Sequence, residues 1–125
     1  AQLMLSQSEE FGITEGLGLI PGRVVGIPTD GIKVPHTGWG RLERRHAHTW
    51  EHGPLRLTPE LSWAYFVHSF HMLPEREEDL VATVRCGRHH TTAVVAHGNI
   101  TGFQFHPEKS GDAGIHMLRS FVFDA

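Results

Sequence analysis

Residues 63–105 hold three β-forming runs in close succession, and they constrain the fold more than anything else in the chain. "WAYFVHSF" (63–70) is aromatic and β-branched, and "DLVATVRC" (79–86) alternates. "TTAVVAHGNITGFQF" (91–105) divides into two runs about the turn formers His97, Gly98 and Asn99. Together they predict a β-meander. Gly111 and Asp112 then introduce "AGIHMLRSFVF", where Ile115, Leu118, Phe121 and Val122 fall on one helical face. That spacing predicts a C-terminal helix from about Asp112 to Phe123 covering the sheet. The fold class is α+β, with a mixed or antiparallel sheet from Tyr65 to His106 and one helix on one face.

The rest of the chain is less regular. "AQLMLSQSEEF" (1–11) has apolar residues at 1, 3, 4, 5 and 11 and no N-cap residue before Gln2, which reads as a helix entered partway along. "GLGLIPGRVVG" (16–26) suggests a turn and then a short strand holding Val24 and Val25, and Pro28 to Thr49 reads as exposed loop and hairpin. With 125 residues the chain is one domain, spanning 1–125, large enough to bury a core without disulfides or metal. A formal charge of −3 without a run of like charge argues against nucleic acid and lipid as partners. Apolar runs such as 63–67 are far too short to span a membrane, and no basic-then-apolar leader opens the chain. The lone cysteine, Cys86, fits a reducing compartment, so the expected location is cytoplasmic.

The chemistry concentrates in "GFQFHPEKS" (102–110). In an extended segment residues two apart share a face, so His106 and Glu108 point the same way, with Pro107 fixing the backbone between them. A carboxylate that orients an imidazole in this manner prepares a base, and such a base serves a nucleophile. Cys86 does not suit that role: "VRCGR" sits at a predicted strand end, with neither a strand-to-helix elbow nor a following helix.

"GFQFHPEKS", together with "YFVHSF" (65–70), "PHTGW" (35–39) and "AQLMLSQSEEFG" (1–12), resembles the class I glutamine amidotransferases. Within them it is most similar to the glutaminases of imidazole glycerol phosphate synthase, which supply ammonia in histidine biosynthesis. The resemblance implies the C-terminal half of a flavodoxin-like domain. It also implies a site in which a cysteine attacks the side-chain amide of glutamine, His106 is the base and Glu108 its orienting acid. Gln2 would contact substrate, and the backbone of His68, Ser69 and Phe70 would hold its amino-acid end. Trp39 and Lys109 would face a cyclase subunit, a TIM barrel, and no cofactor is implied. In the family the nucleophile lies in a Gly-x-Cys-x-Gly elbow immediately before the stretch matching Ala1, so the cysteine and a missing N-terminal half are expected upstream, and the chain alone is expected to be inactive. At position 40 this chain has glycine where the family usually has asparagine.

Two other classes stand beside this one. A half-domain leaves a sheet edge and an apolar face uncovered, which favours a self-associating interaction module, most simply a two-fold dimer. Eleven histidines, including His46, His48, His52, His68, His71, His89 and His90, raise a metal-binding protein as a third class. They lack the spacing of known zinc motifs, so they are expected to hold no dedicated metal.

Overall fold

A computed structural model describes residues 1–9, 12–28, 34–45, 50 and 53–124. Among the described residues nine strands lie in two sheets: β1 (Leu5–Ser8), β2 (Thr14–Glu15), β3 (Ile20–Gly26), β4 (His36–Arg44), β5 (Trp63–His68), β6 (Phe70–Pro74), β7 (Leu80–Cys86), β8 (His89–His97) and β9 (Ile100–Phe103). The smaller sheet has the order β2-β1-β3-β6 and the larger β5-β4-β7-β8-β9. Only β1 and β3 run parallel; the other pairs are antiparallel. Among the described residues there is one α-helix, α1 (Gly111–Asp124). The architecture is therefore mixed α/β, with the expected meander at β7, β8 and β9.

Alternation builds the core. In β5, Ala64, Phe66 and His68 turn inward while Trp63, Tyr65 and Val67 face out. Phe66 joins Leu42, Val84, Val94, Phe105 and Met117 in one buried cluster. Leu5, Ile20, Val24, Met72 and Val95 form a second. Neighbouring residues on a strand point to opposite faces, so Val94 and Val95 place β8 between the two clusters.

Three expectations are corrected. The N-terminal segment is not a helix: Gln2–Met4 forms a single 3-10 turn, and Leu5–Ser8 then pairs with β2 and β3. Without a capped start a helix of this length is marginal, whereas the strand buries Leu5 completely and shields the edge of β3.

The stretch read as loop and hairpin contains β4, nine residues long and internal to the larger sheet. Its glycines looked like punctuation, but Gly40 is a close-approach position. A Cβ there would run into the Val84 side chain and crowd the Phe66 ring.

Third, α1 forms as expected but presents a different face. Met117 is fully buried and Ala113 packs beside it, whereas Ile115, Leu118, Phe121 and Val122 are exposed. A periodic apolar stripe locates a helix face but not the layer it meets. Here β5 and the turn at 107–109 are met by the small-residue side, where Gly114 lies against the Pro107 carbonyl.

Candidate functional site

The segment 102–110 leaves β9 and runs along the edge of β5. The His106 N–H donates to the Tyr65 carbonyl at 3.1 Å, and the Tyr65 N–H donates to Ser110 Oγ at 3.0 Å. Ser110 Oγ in turn donates to the His106 carbonyl at 2.6 Å, so one buried hydroxyl ties the strand edge to the turn that carries the imidazole. The 3-10 turn Pro107–Lys109 follows at once, with Pro107 at its start, where a missing N–H costs nothing.

That turn brings Glu108 back onto His106: Oε1 lies 3.1 Å from Nδ1. The Glu108 carboxyl is held below its usual range by its own backbone N–H first, and then by His106 and Lys109. An ionised carboxylate only accepts, so His106 carries its proton on Nδ1 and leaves the lone pair on Nε2. This is the arrangement of an oriented base, and its unprotonated nitrogen is the one a thiol proton would reach.

His106 borders an open cavity of about 740 Å³ that Gln2, His68, Ser69, Phe70 and Gln104 also line. Sequence-distant candidates thus meet in one place. Gln2 Nε2 donates to the Phe70 carbonyl at 3.0 Å and to Gln104 Oε1 at 2.9 Å, which fixes its side chain against the wall formed by 68–70. The His68 ring faces inward, with Nδ1 3.0 Å from the Phe70 carbonyl and Nε2 3.0 Å from His36 Nδ1. Burial lowers the pKa of His68 to about 4, and nearby His36 and His71 act in the same direction against the opposing effect of the Phe70 carbonyl. Burial lowers His36 and His71 as well.

The other expected residues lie nearby or elsewhere. Trp39 stands on the outer face of β4, 53% exposed, edge-on to Tyr65 at 5.8 Å between ring centres. Since the Tyr65 backbone also holds the His106 segment, this aromatic surface adjoins the cavity rim. Lys109 is exposed at the end of the 3-10 turn. Cys86 is 3% exposed at the end of β7, opposite His89, and does not line the cavity; burial pushes its thiol pKa up. Among the described residues no three metal-ligating side chains converge, and His46, His48 and His52 lie outside the described residues. No described helix is long and apolar enough to cross a membrane.

Sequence reasoning passed over His36, Gln104 and Ser110. All three stand inside quoted motifs, "PHTGW" and "GFQFHPEKS", but each has a partner distant in sequence: His68 for His36, Gln2 for Gln104 and Tyr65 for Ser110. Only Gln104 gave a local signal, two residues before His106 in an extended run.

Over residues 11–125 the chain matches the family described as Glutamine amidotransferase class-I. It is 42% identical over 121 residues to the imidazole glycerol phosphate synthase subunit HisH of a Synechococcus species, covering 95% of this chain and 54% of that relative. A Geobacillus protein of the same name is 45% identical over 126 residues, covering 97% of this chain and 57% of the relative. That of Sulfurimonas denitrificans is 45% identical over 125 residues, covering 97% and 58%. The chain spans somewhat more than half the length of these relatives.

Proposed function

Because the chain belongs to the class I glutamine amidotransferases, we propose that it is the part of a histidine-biosynthetic glutaminase that carries the base and much of the substrate pocket. The observation that supports this best is the convergence of Gln2, His68, Ser69, Phe70 and His106 on one cavity, with Glu108 bonded to the imidazole behind it. In this reading His106 Nε2 takes the proton of a cysteine thiol, and the thiolate attacks the side-chain amide carbon of glutamine. As the C–N bond breaks, the imidazolium returns the proton to the leaving ammonia. Water, deprotonated by the same nitrogen, then attacks the thioester carbonyl; the C–S bond breaks to release glutamate, and the imidazolium returns its proton to the sulfur. Glu108 orients the ring and stabilises its charged form, and the 68–70 backbone and Gln2 hold the substrate.

The thiol comes from outside these 125 residues, since Cys86 is buried away from the cavity. Ammonia passes to a cyclase subunit of TIM-barrel form docked over Trp39 and Lys109, beside the cavity rim. Mixing this chain with a polypeptide equivalent to the first half of a HisH relative tests the reading. Glutamine-dependent ammonia release is the expected result. His106→Ala should abolish it and Cys86→Ser should leave it intact. Ammonia release by the chain alone, lost in Cys86→Ser, would overturn the assignment.

The exposed outer face of α1 favours a second reading, that the isolated chain self-associates as a non-catalytic module. Ile115, Leu118, Phe121 and Val122 form an apolar stripe facing solvent. Sedimentation of the chain alone at micromolar concentration should show a dimer; a stable monomer counts against it.

A further inference from the structure

We infer that His36 is a positioning residue that locks the substrate-facing wall at residues 68–70 through the ring of His68. The inference deepens the glutaminase reading by assigning the wall's rigidity to a residue outside the cavity lining.

The argument rests on which nitrogen can donate. A carbonyl oxygen only accepts, so the 3.0 Å contact between His68 Nδ1 and the Phe70 carbonyl requires the proton on Nδ1. A neutral imidazole then offers a lone pair at Nε2. The group facing that lone pair is His36 Nδ1 at 3.0 Å, so His36 must carry its own proton on Nδ1. One carbonyl thereby fixes the tautomers of two rings in series. Burial lowers the pKa of both rings, in keeping with neutral imidazoles.

The framework suits a lock. His36 and His68 are direct cross-strand partners on β4 and β5. Phe66 lies beside both rings, with ring centres 5.3 Å from His36 and 5.4 Å from His68. His68 is 6% exposed, so its ring has little freedom to find water in place of His36. Beyond the ring, the chain leaves β5, bends at Ser69 and enters β6. Three donors hold that bend: the Ile27 N–H on the Ser69 carbonyl at 2.9 Å, and both His68 Nδ1 and Gln2 Nε2 on the Phe70 carbonyl. His36 holds the second of these in place. Removing it leaves the lone pair of His68 Nε2 buried without a donor, so the ring loses the bond on its far side and is held by the Phe70 carbonyl alone.

Histidine-labelled chain at neutral pH tests this directly by long-range proton–nitrogen NMR. His36 and His68 should both appear as Nδ1–H tautomers, with a nitrogen–nitrogen coupling across the shared hydrogen bond. An Nε2–H tautomer at either ring, or no coupling, would overturn the lock. In His36→Ala the His68 ring should keep its proton on Nδ1, against the Phe70 carbonyl, while its Nε2 resonance moves toward that of an unbonded lone pair. In His36→Asn, whose amide N–H stands where imidazole Nδ1 stood, Nε2 should stay at the bonded position; an unmoved His68 Nε2 resonance in His36→Ala would also overturn the inference. In the complemented glutaminase, His36→Ala should raise KM for glutamine about five- to tenfold, as for one lost hydrogen bond, with kcat within about twofold. His36→Asn should restore KM, and a loss confined to kcat would refute positioning. Correct tautomers without any glutamine turnover would sink the glutaminase reading and leave the lock standing.

Discussion

Acid should destabilise this fold well before its carboxylates titrate, and His68 sets the scale. Its ring is buried between Phe66 and His36 and its pKa falls from 6.5 to about 4. A histidine with a lower pKa in the fold binds its proton more readily when unfolded. Its contribution is therefore complete above the unfolded value near 6.5 and is lost as pH falls toward about 4. That span is roughly 2.5 pH units at about 1.4 kcal/mol each, so about 3 kcal/mol is lost across it. Domains of this size are stable by only about 5–15 kcal/mol, so the loss is a large share. His36 and His71 shift in the same direction and add to it. Glu108, a depressed carboxyl, contributes above its usual 4.5 and loses its contribution only below that, largely outside the window. Urea unfolding followed by tryptophan fluorescence between pH 7 and 4 measures the slope. His68→Gln cannot titrate and should flatten it by about one proton, whatever its own stability. Equal slopes in wild type and His68→Gln would refute the burial argument.

Two further outcomes follow from packing and hydrogen bonding. Gly40→Ala should cost about 1–3 kcal/mol through overpacking against Val84, read as a lower urea midpoint with an unchanged m-value; an unchanged or raised midpoint would mean that β4 can draw back. Ser110→Ala leaves the Tyr65 N–H without the hydroxyl that accepts it and should cost about 1–3 kcal/mol, whereas Ser110→Thr, which keeps the hydroxyl, should recover much of that.

Legibility followed the range of the interactions. β5, β7, β8 and β9 were readable because their β-branched and aromatic runs carry the signal within each run: β5 buries alternate residues, and β7 and β8 are buried on both faces. The His106–Glu108 pair was readable for the same reason: two residues apart on an extended backbone, the bond needs no tertiary partner. β4 was hidden because Gly38 and Gly40 look like turn formers, and the reason for Gly40 is the Val84 side chain on another strand. The N-terminal strand was hidden because its partner, β3, is what makes extension preferable to a helix. In α1 the period was right and the direction wrong, since the stripe of Ile115, Leu118 and Val122 carries no information about which side meets the rest of the fold. Within the cavity the residues could be named, but the links from His36 to His68 and from Gln2 to Phe70 join positions 32 and 68 apart.

The place of β8 has a consequence for how the molecule opens. Val94 belongs to one buried cluster and Val95 to the other, and Thr91, Thr92 and Ala93 beside them are buried as well. Its backbone is paired on both sides, with β7 and β9, while the two clusters cover its two faces. Breathing of the smaller sheet at β2, or fraying at the end of α1, can occur locally. Release of the central amides of β8 requires both halves to come apart together. In deuterated water these amides should exchange last, at a rate that tracks global unfolding, so that the chain melts as one cooperative unit rather than sheet by sheet.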